Sequence, residues 1–173
     1  MKTLAAFALL TLPLALCAQM NHTEAATPKA IVPSTTLTVT GLDGKTQSYS
    51  PEDLRNMTHL TVKVHNAHTN ADESYSGVPV SSLVKRAEPN LTDKSKSHPL
   101  MTVLIFEGAD KYRIALTVCD IDPSCRNGIA IVADQIDGRP LTADGAFKLI
   151  LTEDKKPQRW TRNLASITVK SLE

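Results

Sequence analysis

The chain has 173 residues, with 19 Lys and Arg against 18 Asp and Glu, 42% hydrophobic residues and 4% aromatic ones. Such a length suits one domain with a core that needs no staples, and the apolar fraction is too high for a disordered chain. The near-neutral charge excludes nucleic acid as the main partner, which leaves a strongly basic footprint, and three Phe, three Tyr and one Trp are too few for a stacking platform.

Lys2 precedes an apolar run from Leu4 to Leu16, and small residues follow at Ala15, Cys17 and Ala18. This pattern predicts a secretory signal over residues 1–18. The run is shorter than the ~20 apolar residues that a membrane span needs, and no other stretch is long enough to cross a bilayer. Cleavage after Ala18 removes one charge, Lys2, and leaves side-chain charges in balance. Cys17 offers a rival reading as a lipoprotein cysteine, but Leu16 stands where a small residue is wanted. The expectation is a free exported product, periplasmic or secreted.

Residues 19–34 lack periodicity and read as a flexible leader. Leu37 and Val39 then alternate with hydroxyl residues, as in a half-buried strand, and Gly41-Leu42-Asp43-Gly44 turns the chain into a partner arm over Lys45–Tyr49. Ser50-Pro51-Glu52-Asp53 is a helix start, with Ser50 as cap and Pro51 in the first turn. A one-faced strand follows at Leu60, Val62 and Val64. Ser76-Gly77 to Pro79 reads as a turn, and Pro79–Ala87 as a short helix with Val80, Leu83 and Val84 on one face. Glu88–Pro99 is a polar loop. Leu100–Phe106 reads as a central strand buried on both faces, with Tyr112–Leu116 as its hairpin partner. Further strands are expected at Ile129–Val132, Phe147–Leu151 and Ile167–Val169, with a turn at Asp137-Gly138 and a helical turn over Trp160–Leu164. The sum is a single α+β domain over residues 35–173, with a mixed, largely antiparallel sheet and short helices.

With Cys17 removed, Cys119 and Cys125 remain, an even number for an oxidising compartment. A structural disulfide is the preferred reading; a metal pair and a redox dithiol stay open, although no second pair exists to complete a zinc site. Asn21-His22-Thr23, Asn56-Met57-Thr58 and Asn90-Leu91-Thr92 are sequons that matter only in a eukaryotic secretory pathway.

Four segments occur in a telling order: Tyr75–Val84 (YSGVPVSSLV), Gly108–Ala115 (GADKYRIA), Ala133–Leu141 (ADQIDGRPL) and Arg159-Trp160-Thr161-Arg162 with Ile167-Thr168-Val169. Together they resemble the molybdopterin-binding domain of the sulfite oxidase-like family, over about residues 35–171. The resemblance implies a mixed α+β fold that cradles a pterin. In the family's enzymes a cysteine thiolate binds molybdenum after the strand preceding the G-V-P segment. Here that stretch is Val62–Thr69, without cysteine, which argues against oxygen-atom transfer. The chain looks closest to short exported members, some of which bind pterins without metal and report them to a membrane signalling protein.

Pterin recognition needs an acceptor for the ring's N–H edge, for which Asp134 is the candidate, as a carboxylate at a strand end; its alternative is a turn cap. Arg159 and Arg162 are candidates for a phosphate or hydroxylated tail, and Trp160 for stacking or for a core edge. His65 and Asn66 read as polar pocket lining. His65 and His68 allow a metal reading that lacks a third ligand. Arg113 alternates out of its strand, toward the pocket or toward solvent. His22, His59 and His98 read as solvated, and Glu52-Asp53 and Asp72-Glu73 as exposed pairs unsuited to acid/base work.

The expected function is an exported binding module for a pterin or molybdopterin-like small molecule, with no metal and with a membrane receptor or enzyme as partner. The alternatives are a molybdopterin-dependent oxidoreductase with a non-cysteine or partner-supplied metal site, and a structural domain whose pocket has closed.

Overall fold

Short alternating segments set most of the strands. The computed structural model describes residues 32–91, 100–142 and 145–172. The expected signal, the leader up to residue 31 and residues 92–99 of the polar loop lie outside the described residues. Strand β1 (Leu37–Thr40) buries Leu37 and Val39 and pairs antiparallel with β2 (Thr46–Tyr49). Helix α1 (Pro51–Arg55) starts as its sequence predicts, because Ser50 and Asp53 form a reciprocal capping box that satisfies two otherwise orphaned N–H groups.

Strand β3 (Leu60–Asn66) turns Val62, Val64 and Asn66 inward and pairs with β4 (Ala71–Pro79). The expected turn at Ser76–Pro79 is therefore strand. Gly77 serves a close approach: a Cβ there would lie 2.2 Å from the Val132 carbonyl oxygen. Across from it, β7 (Ala130–Ile136) bulges, with Ser76 opposite Gln135, Gly77 opposite Ala133, and Asp134 the extra residue. Glycine in a strand commonly marks such a bulge or approach.

Helix α2 (Val80–Ala87) buries Val80, Leu83, Val84 and Ala87 and touches strands β1, β2, β4 and β7. Strand β5 (Thr102–Gly108) begins two residues later than expected and buries one face only, leaving Leu100 and Met101 exposed. Its hairpin partner is β6 (Arg113–Thr117). After β7, Asp137 and Gly138 both take positive φ, 48° and 74°, the conformation of a tight hairpin turn. They lead into the two-residue β8 (Arg139–Pro140), and β9 (Lys148–Leu151) follows. The helical turn expected at Trp160–Leu164 does not form. A 3-10 turn at Pro157–Arg159 comes first, Asn163 takes φ 49°, and Leu164 opens β10 (Leu164–Ser171). Backbone bonds to other segments replace the helical ones: the Thr161 carbonyl accepts from the Leu149 N–H and the Asn163 carbonyl from that of Ala109, both at 2.9 Å, and Leu164 pairs with Gly108 of β5.

Two sheets form where one was expected. The first has strand order β2-β1-β10-β5-β6, and the second β3-β4-β7-β8 with β9 also on β7. Strand β1 runs parallel to β10, and the other pairings between described strands are antiparallel. Both sheets feed one apolar cluster, from Leu104, Phe106 and Ile167 to Val78, Ile131 and Leu149. The architecture is α+β, mostly sheet, and residues Ile31–Glu173 form one compact unit.

Candidate functional site

At the end of the β3–β4 hairpin, Glu73 stands opposite Val64 and Asn66 opposite Ala71, so Asn66 and Glu73 are diagonal neighbours on the inward face, and Tyr75 lies one inward step further along β4. Strand β9 brings Lys148 to the same place, and the segment after the 3-10 turn brings Trp160 and Arg162. Between these groups lies a cavity of about 530 Å³, bordered also by His68, Thr69, Ile136, Pro157 and Gln158. This falls within the usual range for small-molecule sites, ~300–1,000 Å³.

The polar wall is a hydrogen-bond chain. The Lys148 ammonium donates to the Tyr75 hydroxyl at 2.9 Å, which donates to Glu73 Oε2 at 2.7 Å. Asn66 Nδ2 donates to both Glu73 oxygens, at 3.0 and 2.9 Å, and the Thr69 hydroxyl donates to Oε1 at 2.8 Å. Burial pushes the Glu73 carboxyl up. Tyr75, Asn66, Thr69 and the Lys148 charge together outweigh it and hold the pKa below the usual glutamate value. Glu73 therefore stands as a carboxylate with its acceptor sites occupied.

The apolar wall is aromatic. Tyr75 and Trp160 meet edge-on, 6.1 Å between centroids and 76° between planes. The buried Lys148 ammonium lies 5.0 Å from the Tyr75 ring centre, on the side of the hydroxyl it bonds, and 5.9 Å from the ring centre of Trp160, within the range of cation–ring attraction for the latter. Trp160 fills a core edge and borders the cavity, while its Nε1 donates to the Leu151 carbonyl at 3.1 Å.

Of the residues singled out from the sequence, Asn66, His68, Trp160 and Arg162 are brought together here, His68 without His65. The others stand elsewhere. His65 is on the opposite, exposed face of β3, 2.8 Å from Asp72. Arg113 pairs with Glu107 at 2.7 Å on the β5–β6 hairpin. Arg159 is bound by Asp154 and Asp120, just outside the cavity. Asp134 does not end a strand: at its bulge it is buried against His59 Nε2, at 3.0 and 3.2 Å. His59, read as solvated, is accordingly half-buried, its Nδ1 2.9 Å from the Met57 carbonyl. Glu73, Tyr75 and Lys148 were missed. One signal was available for the last, since a lone lysine inside the apolar run Phe147–Leu151 is almost never fully buried without a partner.

Cys119 and Cys125 are bonded to each other, with Cα atoms 5.2 Å apart, and neither borders the cavity. The cavity thus offers one imidazole, one saturated carboxylate and no thiolate, a donor set that does not fit a thiolate-ligated molybdenum centre. Two nearly perpendicular, largely buried rings border one side, and the cations of Lys148 and Arg162 are of a kind that pairs with acceptor oxygens.

The fold and site define a sheet-dominated α+β domain with a cationic, aromatic-walled cavity. No protein-family model matches the chain, and no curated protein does. Among solved structures the chain is similar to the sulfane dehydrogenase SoxCD from Paracoccus pantotrophus, with a TM-score of 0.59 and 16% identity; the match covers 80% of this chain and 39% of that one. At that identity the likeness is one of fold.

Proposed function

We propose that the chain is a binding module that holds a pterin or molybdopterin-like heterocycle in the cavity bordered by Tyr75, Lys148, Trp160 and Arg162. The observation that carries this reading is the buried Lys148 ammonium, set against two aromatic rings beside a carboxylate whose acceptor sites are filled. Such a wall presents donors and ring surface to a ligand. The fold likeness to SoxCD supports a molybdopterin-related architecture, in keeping with the sulfite oxidase-like resemblance of the sequence. Lys148 and Arg162 orient the ligand's polar edge, Asn66 holds the Glu73 carboxylate behind them, and Trp160 and Tyr75 exclude water from its face. On this reading the chain is exported, and a membrane receptor or enzyme receives the loaded form.

A second reading, an oxidoreductase whose metal ligand comes from a partner, draws on the dehydrogenase activity named for SoxCD. Protein isolated from its native source separates the two. The binding-module reading expects a fluorescent pterin released on denaturation and molybdenum well below one atom per chain. Stoichiometric molybdenum sinks it in favour of the second.

A further inference from the structure

The strongest feature outside the cavity is the loop closed by Cys119 and Cys125. Asp120 directly follows the first cysteine and Arg126 directly follows the second, and the two side chains meet at 3.2 Å. Asp120 is a hub. Its Oδ2 accepts from the Thr117 backbone N–H and hydroxyl, both at 2.9 Å, and its Oδ1 accepts from Arg126 and, at 3.3 Å, from Arg159. Burial works to raise the Asp120 carboxyl, but the Thr117 and Arg159 hydrogen bonds prevail and hold its pKa below the usual aspartate value. Arg159 closes the 3-10 turn whose Pro157 and Gln158 border the cavity, and Trp160 follows it in sequence. The Gln158 carbonyl is held in turn by the Tyr112 hydroxyl at 2.5 Å. An unbroken series of contacts therefore joins the disulfide loop to one wall of the cavity.

Cys125 is exposed and Cys119 half-buried, so the bond is open to attack from solvent, and access is one determinant of thiol–disulfide exchange. We propose that Cys119–Cys125 is a redox-modifiable site whose reduction by a dithiol loosens the Pro157–Trp160 wall through Asp120 and Arg159. In this step the dithiol supplies two electrons and two protons and closes to its own disulfide. The Cys119–Cys125 bond breaks, and both cysteines end as thiols. The loop then no longer holds Asp120 and Arg126 in register, the carboxylate loses its fixed position, and Arg159 keeps Asp154 as its remaining partner.

Trp160 is the chain's one tryptophan, so the wall can be read directly, whether or not a pterin binds. Oxidised protein is reduced with dithiothreitol and alkylated with iodoacetamide, and peptide mass spectrometry locates labels on both Cys119 and Cys125. Acrylamide quenching of Trp160 is then compared with that of the oxidised form. Reduction is expected to raise the quenching constant about twofold. Asp120→Asn with the disulfide intact should give a similar rise, and reducing that variant should add little, since groups acting through one network are non-additive. Unchanged quenching after complete alkylation overturns the proposal, as do effects of reduction and Asp120→Asn that simply add. Should circular dichroism find the reduced chain unfolded, oxidised Arg126→Gln decides: raised quenching supports the coupling, and unchanged quenching overturns it.

Discussion

Lys148 is the residue on which the site turns. A buried ammonium is costly unless it is paired and hydrogen-bonded, and here the Tyr75 hydroxyl accepts from it and the Trp160 ring lies 5.9 Å away. Lys148→Met keeps the volume and removes the charge. The swap removes only one member of the network and leaves the Tyr75 hydroxyl and the Glu73 carboxylate without the cation that helps hold them; one-sided removal of this kind destabilises, so denaturant melts should show a loss of ~1–3 kcal/mol. Reduced-pterin binding, measured by calorimetry, should weaken about tenfold, which corresponds to ~1.4 kcal/mol. Glu73 makes a separate prediction. Its folded pKa lies below its unfolded value, so the stability it contributes is present above the unfolded glutamate range and is lost as pH falls through the depressed pKa. Denaturant melts from pH 6 down to about pH 3 should show that loss, and Glu73→Gln should flatten it. Neither residue stood out in the sequence. Glu73 sits beside Asp72 in what reads as an exposed acidic pair, and only the register, which sets Glu73 opposite inward Val64 and Asp72 opposite exposed His65, shows that it alone turns inward.

At the scale of elements, local chemistry was legible and long-range pairing was not. The Ser50–Asp53 capping box and the Asp137-Gly138 turn depend on neighbours within three residues, and both formed as read. By contrast, Ser76-Gly77-Val78-Pro79 carries turn-forming residue types but lies in a strand, because β7 approaches Gly77 too closely for a side chain. Gly77→Ala sets a methyl 2.2 Å from a backbone oxygen, and overpacking of this kind costs typically ~1–3 kcal/mol. Thermal melts should place the loss at the upper end of that range. A melt unchanged from wild type would mean that the β4–β7 bulge is looser than described. The same bulge accounts for Asp134: an extra residue in β7 re-aims its side chain into the contact with His59, which no reading of the isolated stretch reveals.

For the whole molecule, two sheets sharing one core carry the cavity at the end of a hairpin, with its opposite wall supplied by residues some 80 positions later in the chain. The α+β class was readable from the short spacing of strands and helices. The division into two sheets was not, because it depends on which strands pair across long separations, as β1 does with β10. The resemblance through Arg159–Arg162 names both arginines alike; Arg162 borders the cavity, whereas Arg159 is ion-paired with Asp154 and Asp120 outside it, a difference that spacing alone does not show. The central claim is that this cavity binds a pterin, and titration calorimetry of the purified chain with a reduced pterin tests it most directly. The account predicts a saturable heat at one ligand per chain with a dissociation constant on the order of micromolar, together with a rise in melting temperature at excess ligand. No heat and no thermal shift at millimolar pterin would contradict it.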